Sequence, residues 1–308
     1  SSFNGFRAMT KEFLVLTAPP GAGVLTADLV NRIADILAGA RSPNVLGDAE
    51  AVEFGLSETN ETSEQDMENA VRQCLGSAPV DINIVAAAER HKQLLVADME
   101  STIIEQECLD ELAAEFGVRE KMVDITARAM RGELDFEPSL RERVAMLTGL
   151  PVSVLQALYD NRISLMPGAA TLLATLNANA TTCGLVSGGF RFFAEKIADR
   201  LGFDRFQSND LGIADNKLDG TVTDPILGRA AKADIMRDWS KELGISPAQV
   251  LAVGDGSNDL AMLEAAGRGV AFRAKSAVAN AARHTVEHGD LTALLYLQGY
   301  AKSDFVKG

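Results

Sequence analysis

The sequence predicts an α/β protein in two parts: a ferredoxin-like α+β domain, followed by a doubly wound parallel sheet with a helical cap. Three observations support this fold class. The chain up to Arg90 follows the order strand, helix, strand, strand, helix, strand, which is typical of a split βαβ sandwich. From Leu94 onward, apolar runs without polar alternation indicate strands buried on both faces, as in a parallel sheet covered by helices. A long helical block separates the first two of these runs.

The composition limits the classes of function. The chain has 308 residues, 47% of them hydrophobic, which suits about two globular domains with sizeable cores. The formal net charge of −14 argues against a nucleic-acid partner, because binding to a phosphate backbone requires clustered Lys and Arg. No run reaches the about 20 apolar residues of a membrane-spanning helix. The three widely spaced cysteines form no C-x-x-C pair, so a reducing cytoplasm is the expected location.

The first predicted domain covers residues 11–90. The polar segment 1–10 is left out of the fold prediction, and Met9 is a candidate start of the native chain. The strand "EFLVLTA" is followed by a helix that ends near Gly39, two strands within 44–56, a helix that opens with a capping-box pattern at Thr62 or Ser63, and the alternating strand "PVDINIVAA". This order of elements resembles an ACT-like module. The resemblance implies either small-molecule sensing or a structural role, with a homodimer formed through this domain.

The second predicted domain covers residues 91–308. Ligands on parallel sheets bind at the carboxyl ends of the strands, so three strand ends are the places where a site is expected. The polar segments at these ends are Asp98 to Thr102 after "LLVA", Ser187 to Gly189 after "GLV", and "GDGSND" from Gly254 to Asp259. Lys232 lies on a predicted helix between the last two. Any one of these segments suits a helix cap or a tight turn equally well, whereas their joint appearance in this order indicates a site.

These motifs, together with the stretch "AMRGELDFEPSLRERVAML", resemble the haloacid dehalogenase (HAD)-like phosphatases and, within them, the phosphoserine phosphatases. The resemblance covers roughly Leu94 to Leu295. It implies a HAD-like core with a helical cap at about 108–163. It also implies Mg²⁺-dependent hydrolysis of O-phospho-L-serine to L-serine and phosphate, through an aspartyl-phosphate intermediate, as the last step of serine biosynthesis.

The residues at the strand ends suit this chemistry. Asp98, held beside a divalent cation, is the predicted nucleophile. Hard oxygen ligands suit Mg²⁺, and the predicted ligands are the carboxylates of Asp98 and Asp255 and the backbone carbonyl of Glu100, with Asp259 bound through water or in the outer sphere. The predicted donors to the phosphoryl group are Ser187, the amides of Gly188 and Gly189, and the ammonium of Lys232.

Glu100 is the predicted general acid and base, which protonates the leaving serine oxygen and later activates water. The family pattern has aspartate at this position. Glutamate has nearly the same reference pKa, but its carboxyl group lies one methylene further out. Three interpretations follow: a natural variant with an adjusted cap, an engineered or slowed enzyme, or a catalytically silent relative.

The resemblance also assigns the substrate contacts. Glu107 is expected to bind the ammonium of phosphoserine and Arg141 its carboxylate, with Phe136 on the cap side of the site and Asn258 near Lys232. The alternatives are another small phosphomonoester as substrate, or a non-catalytic sensor of amino acids or phospholigands. His284 and His288 are interpreted as residues of an exposed helix face.

Overall fold

The computed structural model describes residues 9–58 and 61–308. Residues 1–8, most of the segment left out of the fold prediction, lie outside the described residues. The contacts divide the chain into two units. The first contains the chain up to His91 together with Val286–Phe305, and the second contains Lys92–Thr285 and Val306–Gly308. The structure therefore groups Val286–Phe305 with the first unit, whereas the sequence analysis assigned this segment to the second domain.

The first unit contains a four-stranded antiparallel sheet and two helices in the predicted order. Its elements are β1 Thr10–Thr17, α1 Ala27–Ile36, β2 Asn44–Gly47, β3 Ala51–Ser57, α2 Glu64–Leu75 and β4 Asp81–Ala86. The strand order is β2-β3-β1-β4, and the central strand β1 pairs antiparallel with β3 and β4. This topology confirms the predicted ferredoxin-like α+β fold.

Local capping and alternating apolar residues account for these elements. The hydroxyl of Thr26 accepts a hydrogen bond from the backbone N–H of Leu29 and caps α1. Ser63 caps α2 in the same way through the N–H of Asp66. The apolar stripes of both helices face the sheet, where their buried side chains form one core. This core includes Leu14, Leu16, Ile33, Phe54 and Val71.

The segment Val286–Phe305 is tied to the first unit by buried polar contacts. Asp81 lies at the start of β4, and its carboxylate accepts hydrogen bonds from the backbone N–H groups of Glu287, His288 and Gly289 at 2.8 to 3.1 Å. The helix that follows, α12 (Ala293–Leu297), is buried along its length. Since unpaired buried N–H groups are costly, Asp81 fixes the path of this segment.

The second unit is built on a six-stranded sheet. Its strands are β5 Leu94–Ala97, β6 Thr182–Phe190, β7 Arg205–Asn209, β10 Val250–Gly254, β11 Arg268–Phe272 and β12 His284–Val286, in the order β12-β11-β10-β5-β6-β7. The pairs β10 with β11, β10 with β5, β5 with β6 and β6 with β7 are parallel. The chain leaves β5 toward β6 on one side and later returns to β10 on the other, which confirms the doubly wound sheet.

Helices cover the sheet and form an insert after β5. The helices that alternate with the strands are α7 Ala169–Ala178, α8 Arg191–Leu201, α9 Arg229–Glu242, α10 Leu260–Ala265 and α11 Ser276–Ala281. The insert consists of α3 Cys108–Ala114, α4 Arg119–Met130, α5 Phe136–Ala145 and α6 Ser153–Arg162. A hairpin, β8 Leu211–Ala214 and β9 Lys217–Val222, packs against α5. Apolar side chains such as Met122, Val144 and Leu155 hold the insert together.

One interpretation from the sequence is wrong. His284 does not lie on an exposed helix but opens strand β12, where it is buried. Two histidines four residues apart do not distinguish a helix from a strand followed by a loop. This segment also has too few apolar residues to show a helical or a strand periodicity. Within the two described ranges, no helix has the length and apolar character that crossing a bilayer requires.

Candidate active site

The three polar segments meet at one edge of the parallel sheet. Strand β5 lies between β6 and β10, so the residues that follow these strands are neighbours. The backbone N–H of Asp98 donates to the carbonyl of Val253 on β10 at 3.0 Å, which extends the ladder to the last residue before the loop. The sheet therefore places Asp98 between the segments that begin at Ser187 and Asp255.

Lys232 of α9 bridges two of the carboxylates. Its side chain is fully buried, and its Nζ donates to Oδ1 of Asp98 at 3.0 Å and to Oδ1 of Asp259 at 2.7 Å. Although burial opposes the charged form, the two carboxylates raise the pKa of Lys232 above its ordinary value. The lysine is thus held as an ammonium that fixes the orientation of Asp98, whose Oδ1 also accepts the N–H of Met99 at 2.8 Å.

Asp259 and Thr102 orient the third strand end. Oδ2 of Asp259 accepts the backbone N–H groups of Asp255 and Gly256 at 3.1 Å, so this carboxylate shapes the turn after β10. The hydroxyl of Thr102 donates to Oδ1 of Asp255 at 3.1 Å. Four of the residues predicted from the sequence, Asp98, Lys232, Asp255 and Asp259, therefore form one buried network.

The carboxylates of Asp98, Asp255 and Asp259 form a cluster that fits a metal ion. One oxygen of each lies within 4.8 Å of the others, and all three side chains are buried. Among the residues that the structure describes, Oδ2 of Asp255 has no hydrogen-bond partner. Burial, followed by the charge of Asp259, raises the pKa of Asp98 to about 7, and burial together with Asp98 raises the pKa of Asp255 well above its usual range. Buried carboxylate oxygens whose negative charge is only partly neutralised are suitable ligands for a hard divalent cation. The backbone carbonyl of Glu100 stays a predicted ligand.

The last residues of β6, Ser187 to Phe190, come close to the opposite wall of the site. The Oγ of Ser187 accepts the N–H of Gly189 at 2.9 Å. A Cβ atom on Gly188 would lie 2.8 Å from Cζ of Phe136, and a Cβ atom on Gly189 would lie 2.2 Å from Oε1 of Glu100. Only glycine leaves room for these approaches, so both glycines are required by close packing rather than by a left-handed backbone.

Glu100 is half-buried, and its Oε1 is shielded from solvent. The charged groups that act on it are Glu107 and Asp98, which are negative, and the more weakly acting Arg143. Burial, followed by the negative charge of Glu107, raises the pKa of Glu100 well above its usual range. In the part of the chain that the structure covers, its Oε1 makes no hydrogen bond. The neighbouring Glu107 accepts a hydrogen bond from the hydroxyl of Ser101 at 2.9 Å. This environment favours a protonated carboxyl group at position 100.

A cavity of about 30 Å³ lies between the insert and the edge of the sheet. Eight of the predicted site residues line it: Asp98, Glu100, Glu107, Phe136, Ser187, Gly188, Gly189 and Asn258. The lining also includes residues that the sequence analysis did not single out as site residues: Leu109, Met130, Leu140, Arg143 and Phe190. The cavity thus has residues of the insert on one side and the polar segments of the sheet edge on the other.

The position of Arg141 does not fit its predicted role. Its side chain is 43% exposed, and its guanidinium pairs with Glu137 at 3.0 Å and Asp224 at 2.7 Å. The arginine that lines the cavity is Arg143, which is 3% exposed. Helical phase could have identified it: Arg143 lies seven residues, or two turns, after Phe136 and shares its face, whereas Arg141 lies on another face.

Comparisons with known proteins agree with this geometry. Residues 92–267 match the family model of the haloacid dehalogenase-like hydrolases. A phosphoserine phosphatase of Streptomyces coelicolor is 42% identical over 256 residues, which are 82% of this chain and 62% of that protein. A phosphoserine phosphatase of Lactococcus lactis is 42% identical over 204 residues, which are 66% of this chain and 94% of that protein.

A solved structure is also similar. A phospho-aspartyl intermediate analogue of phosphoserine phosphatase has a TM-score of 0.64 and 37% identity, and the match covers 67% of this chain and 98% of that one. This chain spans 59 to 62% of the length of the first three curated relatives that it matches.

Proposed function

Because this chain belongs to the phosphoserine phosphatases of the haloacid dehalogenase-like hydrolases, we propose that it hydrolyses O-phospho-L-serine to L-serine and phosphate, as the last step of serine biosynthesis. The observation that carries the proposal is the contact of Lys232 with both Asp98 and Asp259 beside Asp255. Residues that are far apart in the sequence thereby form one buried polar site at the carboxyl edge of the sheet.

Asp98 is the nucleophile in this proposal. The N–H of Met99 and the ammonium of Lys232 both bind Oδ1, which leaves Oδ2 to attack phosphorus. The new bond joins Oδ2 to phosphorus while the bond from phosphorus to the serine oxygen breaks, and the product is an aspartyl phosphate with serine as the leaving group. Ser187, Gly188 and Gly189 line the same cavity, where they can donate to the phosphoryl oxygens.

Glu100 moves the proton in both halves of the reaction. With its pKa raised, it is protonated at the start and gives its proton to the serine oxygen as that bond breaks. The resulting carboxylate then takes a proton from water as the water oxygen attacks phosphorus, which releases phosphate and restores the carboxylate of Asp98. One group serves as acid and then as base, as the two steps require.

Asp98, Asp255 and Asp259 would hold the metal ion, which we propose to be Mg²⁺, with the backbone carbonyl of Glu100 as a further ligand. When bound, Mg²⁺ would neutralise part of the negative charge of the site and stabilise the charge on the phosphoryl oxygens.

Substrate recognition is assigned to the insert. Glu107 lines the cavity and suits the ammonium of phosphoserine, and we transfer the role of binding the carboxylate from Arg141 to Arg143. Phe136 packs against Gly188 and closes the site.

Two further parts of the proposal concern the whole protein. We expect a homodimer formed through the N-terminal unit, which rests on the resemblance of its element order to ACT-like modules. We also expect a cytoplasmic location, which is supported by the three unpaired cysteines Cys74, Cys108 and Cys183.

The test is phosphate release from O-phospho-L-serine, O-phospho-L-threonine and an aryl phosphate, with Mg²⁺ and with EDTA. The proposal predicts Mg²⁺-dependent turnover that favours phosphoserine and is lost in Asp98→Asn. Higher turnover of another phosphomonoester would assign a different substrate. If the parent turns over none of the three substrates and Glu100→Asp restores turnover, the chain is instead a catalytically silent relative of these enzymes.

A further inference from the structure

Arg143 lines the cavity and, among the described residues, carries one buried donor that has no hydrogen-bond partner. Its Nε donates to the carbonyl of Ser139 at 3.2 Å and its Nη1 to the hydroxyl of Thr126 at 3.3 Å. Its Nη2 is buried, and within residues 9–58 and 61–308 nothing accepts a hydrogen bond from it. Because an unpaired buried charge is costly, this nitrogen is a ready site for an anionic group of the substrate.

Thr126 and Asp110 hold the other side of the guanidinium. The hydroxyl of Thr126 donates to Oδ1 of Asp110 at 2.7 Å while it accepts from Arg143. Both residues are at least nine-tenths buried. A hydroxyl has one proton to donate, so its bond to Asp110 turns its lone pairs toward Arg143. The hydrogen bonds therefore form a chain in which Arg143 donates to Thr126 and Thr126 donates to Asp110. The three residues lie on helices α5, α4 and α3, respectively.

The hydroxyl also keeps a carboxylate away from the guanidinium. Among the described residues, no carboxylate oxygen lies within 4.0 Å of the nitrogens of Arg143, in contrast to Arg141, which has two such partners. A direct ion pair with Asp110 would occupy the fork of donors that a substrate carboxylate needs. With Thr126 between them, Asp110 attracts and orients the arginine but leaves Nη2 open.

We propose that Thr126, itself fixed by Asp110, is a positioning residue that aims Arg143 into the cavity and so makes the enzyme selective for phosphomonoesters that carry a carboxylate. This inference rests on the proposed function. Neither Thr126 nor Asp110 lines the cavity. Their effect is expected in substrate selectivity and in KM, because the contact between Arg143 and the carboxylate is present in both the ground state and the transition state.

The test compares two substrates that differ only in the carboxylate, O-phospho-L-serine and phosphoethanolamine. Thr126→Val removes the hydroxyl and keeps the shape of the side chain, and Thr126→Ser is the matched control that keeps the hydroxyl. We expect Thr126→Val to raise the KM for phosphoserine about tenfold, with kcat changed less than about threefold, because one charge-assisted hydrogen bond is misaligned. The ratio of kcat/KM between the two substrates should fall about tenfold, and Thr126→Ser should restore most of it.

A double variant separates positioning from general structure. In an Arg143→Gln background, Thr126→Val should have no further effect on the ratio, because its action runs through Arg143. If Thr126→Val does not fold, Asp110→Asn gives the second measurement, with a smaller shift of the ratio in the same direction. An equal loss on both substrates, or additive effects in the double variant, would overturn the inference. Absence of phosphoserine turnover in the parent would contradict the proposed function instead.

Discussion

The carboxyl group of Glu100 occupies the space where a side chain on Gly189 would lie. A Cβ atom on Gly189 would come within 2.2 Å of Oε1, far inside van der Waals contact. The additional methylene of glutamate extends the acid to the end of β6, where Gly189 provides the room. The two residues are thus sterically matched, so the longer acid is compatible with a working site.

A methyl group at position 189 tests this match. Gly189→Ala is expected to lower kcat/KM for phosphoserine at least about tenfold, because a displaced Glu100 carboxyl group would lose the alignment with the leaving oxygen that its proposed role as acid requires. Glu100→Asp shortens the acid, so the double variant should recover part of the loss. Steady-state kinetics of the parent, the two single variants and the double variant provide the measurement. Additive losses in the double variant would show that the two residues are not coupled.

The raised pKa of Asp110 predicts how the stability of the protein depends on pH. Burial raises the pKa of Asp110 to about 6, above the ordinary value of 3.8. The carboxyl group therefore binds its proton more tightly in the folded state, and folding gains stability as the pH falls from about 6 to about 4. Asp110→Asn removes this contribution. The stability of the parent relative to the variant should be higher at pH 4.5 than at pH 7.5, by on the order of 1 to 2 kcal/mol.

Urea unfolding of both proteins at the two pH values measures the difference. A difference in unfolding free energy that stays constant with pH would contradict the raised pKa. The parent alone is not informative, because Asp98, Asp255 and Glu100 also have raised pKa values.

At the scale of single residues, the sequence predicted the strand-end groups better than the groups of the insert. Asp98 and Asp255 follow apolar strands, and Ser187 follows the apolar run of β6. Parallel topology alone brings such residues to one edge. To predict Arg143 as a site residue, one must know which face of α5 points toward the cavity. A sequence motif does not give this helical phase. Thr126 and Asp110 could not be found from the sequence, because their role depends on how three helices pack.

At the scale of elements, helix α9 positions Lys232 through its contact with strand β6. Gly184 lies in the middle of β6, and a Cβ atom there would lie 2.2 Å from the ring of Trp239, three turns into the same helix as the lysine. The ring packs directly against the strand where Gly184 has no side chain. The distance of α9 from the sheet, and with it the reach of Lys232 to Asp98, therefore depends on this glycine.

Gly184→Ala is expected to destabilise the protein by about 1 to 3 kcal/mol, because a rigid ring cannot move away from the added methyl group. The turnover of phosphoserine should fall as well, since α9 carries Lys232. Urea denaturation followed by circular dichroism measures the stability. Adding Trp239→Phe, with its smaller ring, should relieve part of the loss, and the absence of any loss in Gly184→Ala would show that α9 is not set by this contact.

The strands and most helices were predictable because their patterns are strong. Strand β5 has four consecutive buried residues, and α1 and α2 have both caps and apolar stripes. Strand β12 was not predictable, since its three residues, His284 to Val286, contain only one apolar side chain. Such short segments take their structure from the neighbouring strand rather than from their own sequence.

At the scale of the whole molecule, the chain passes from the first unit to the second and then returns to the first. Val286–Phe305 belongs to the first unit, although the catalytic segments lie between it and the rest of that unit. Sequence alone could not assign it, because an apolar run such as "LTALLYL" suits the core of either domain. The assignment depends on buried partners such as Asp81, which binds the N–H of Gly289, and Glu50, which binds Lys302 at 2.7 Å.

Asp81→Ala tests this arrangement. The substitution leaves the N–H groups of Glu287, His288 and Gly289 without their acceptor, which should cost about 2 to 3 kcal/mol of stability. Hydrogen–deuterium exchange of peptides that span 286–292 should become faster. Asp81→Asn keeps one acceptor oxygen and should have a smaller effect, and Asp48→Ala, at an exposed position of the same unit, is the control. Unchanged exchange in Asp81→Ala would contradict the role of this carboxylate.

The central claim is that Asp98 takes the phosphoryl group, and it can be measured by trapping the intermediate. The protein is mixed with radiolabelled phosphoserine and Mg²⁺, quenched in acid within the first turnover, and digested for mass spectrometry. We predict a phosphate on the peptide that contains Asp98, and no labelled protein in Asp98→Asn. Label on another residue, or turnover by Asp98→Asn at the rate of the parent, would contradict the claim.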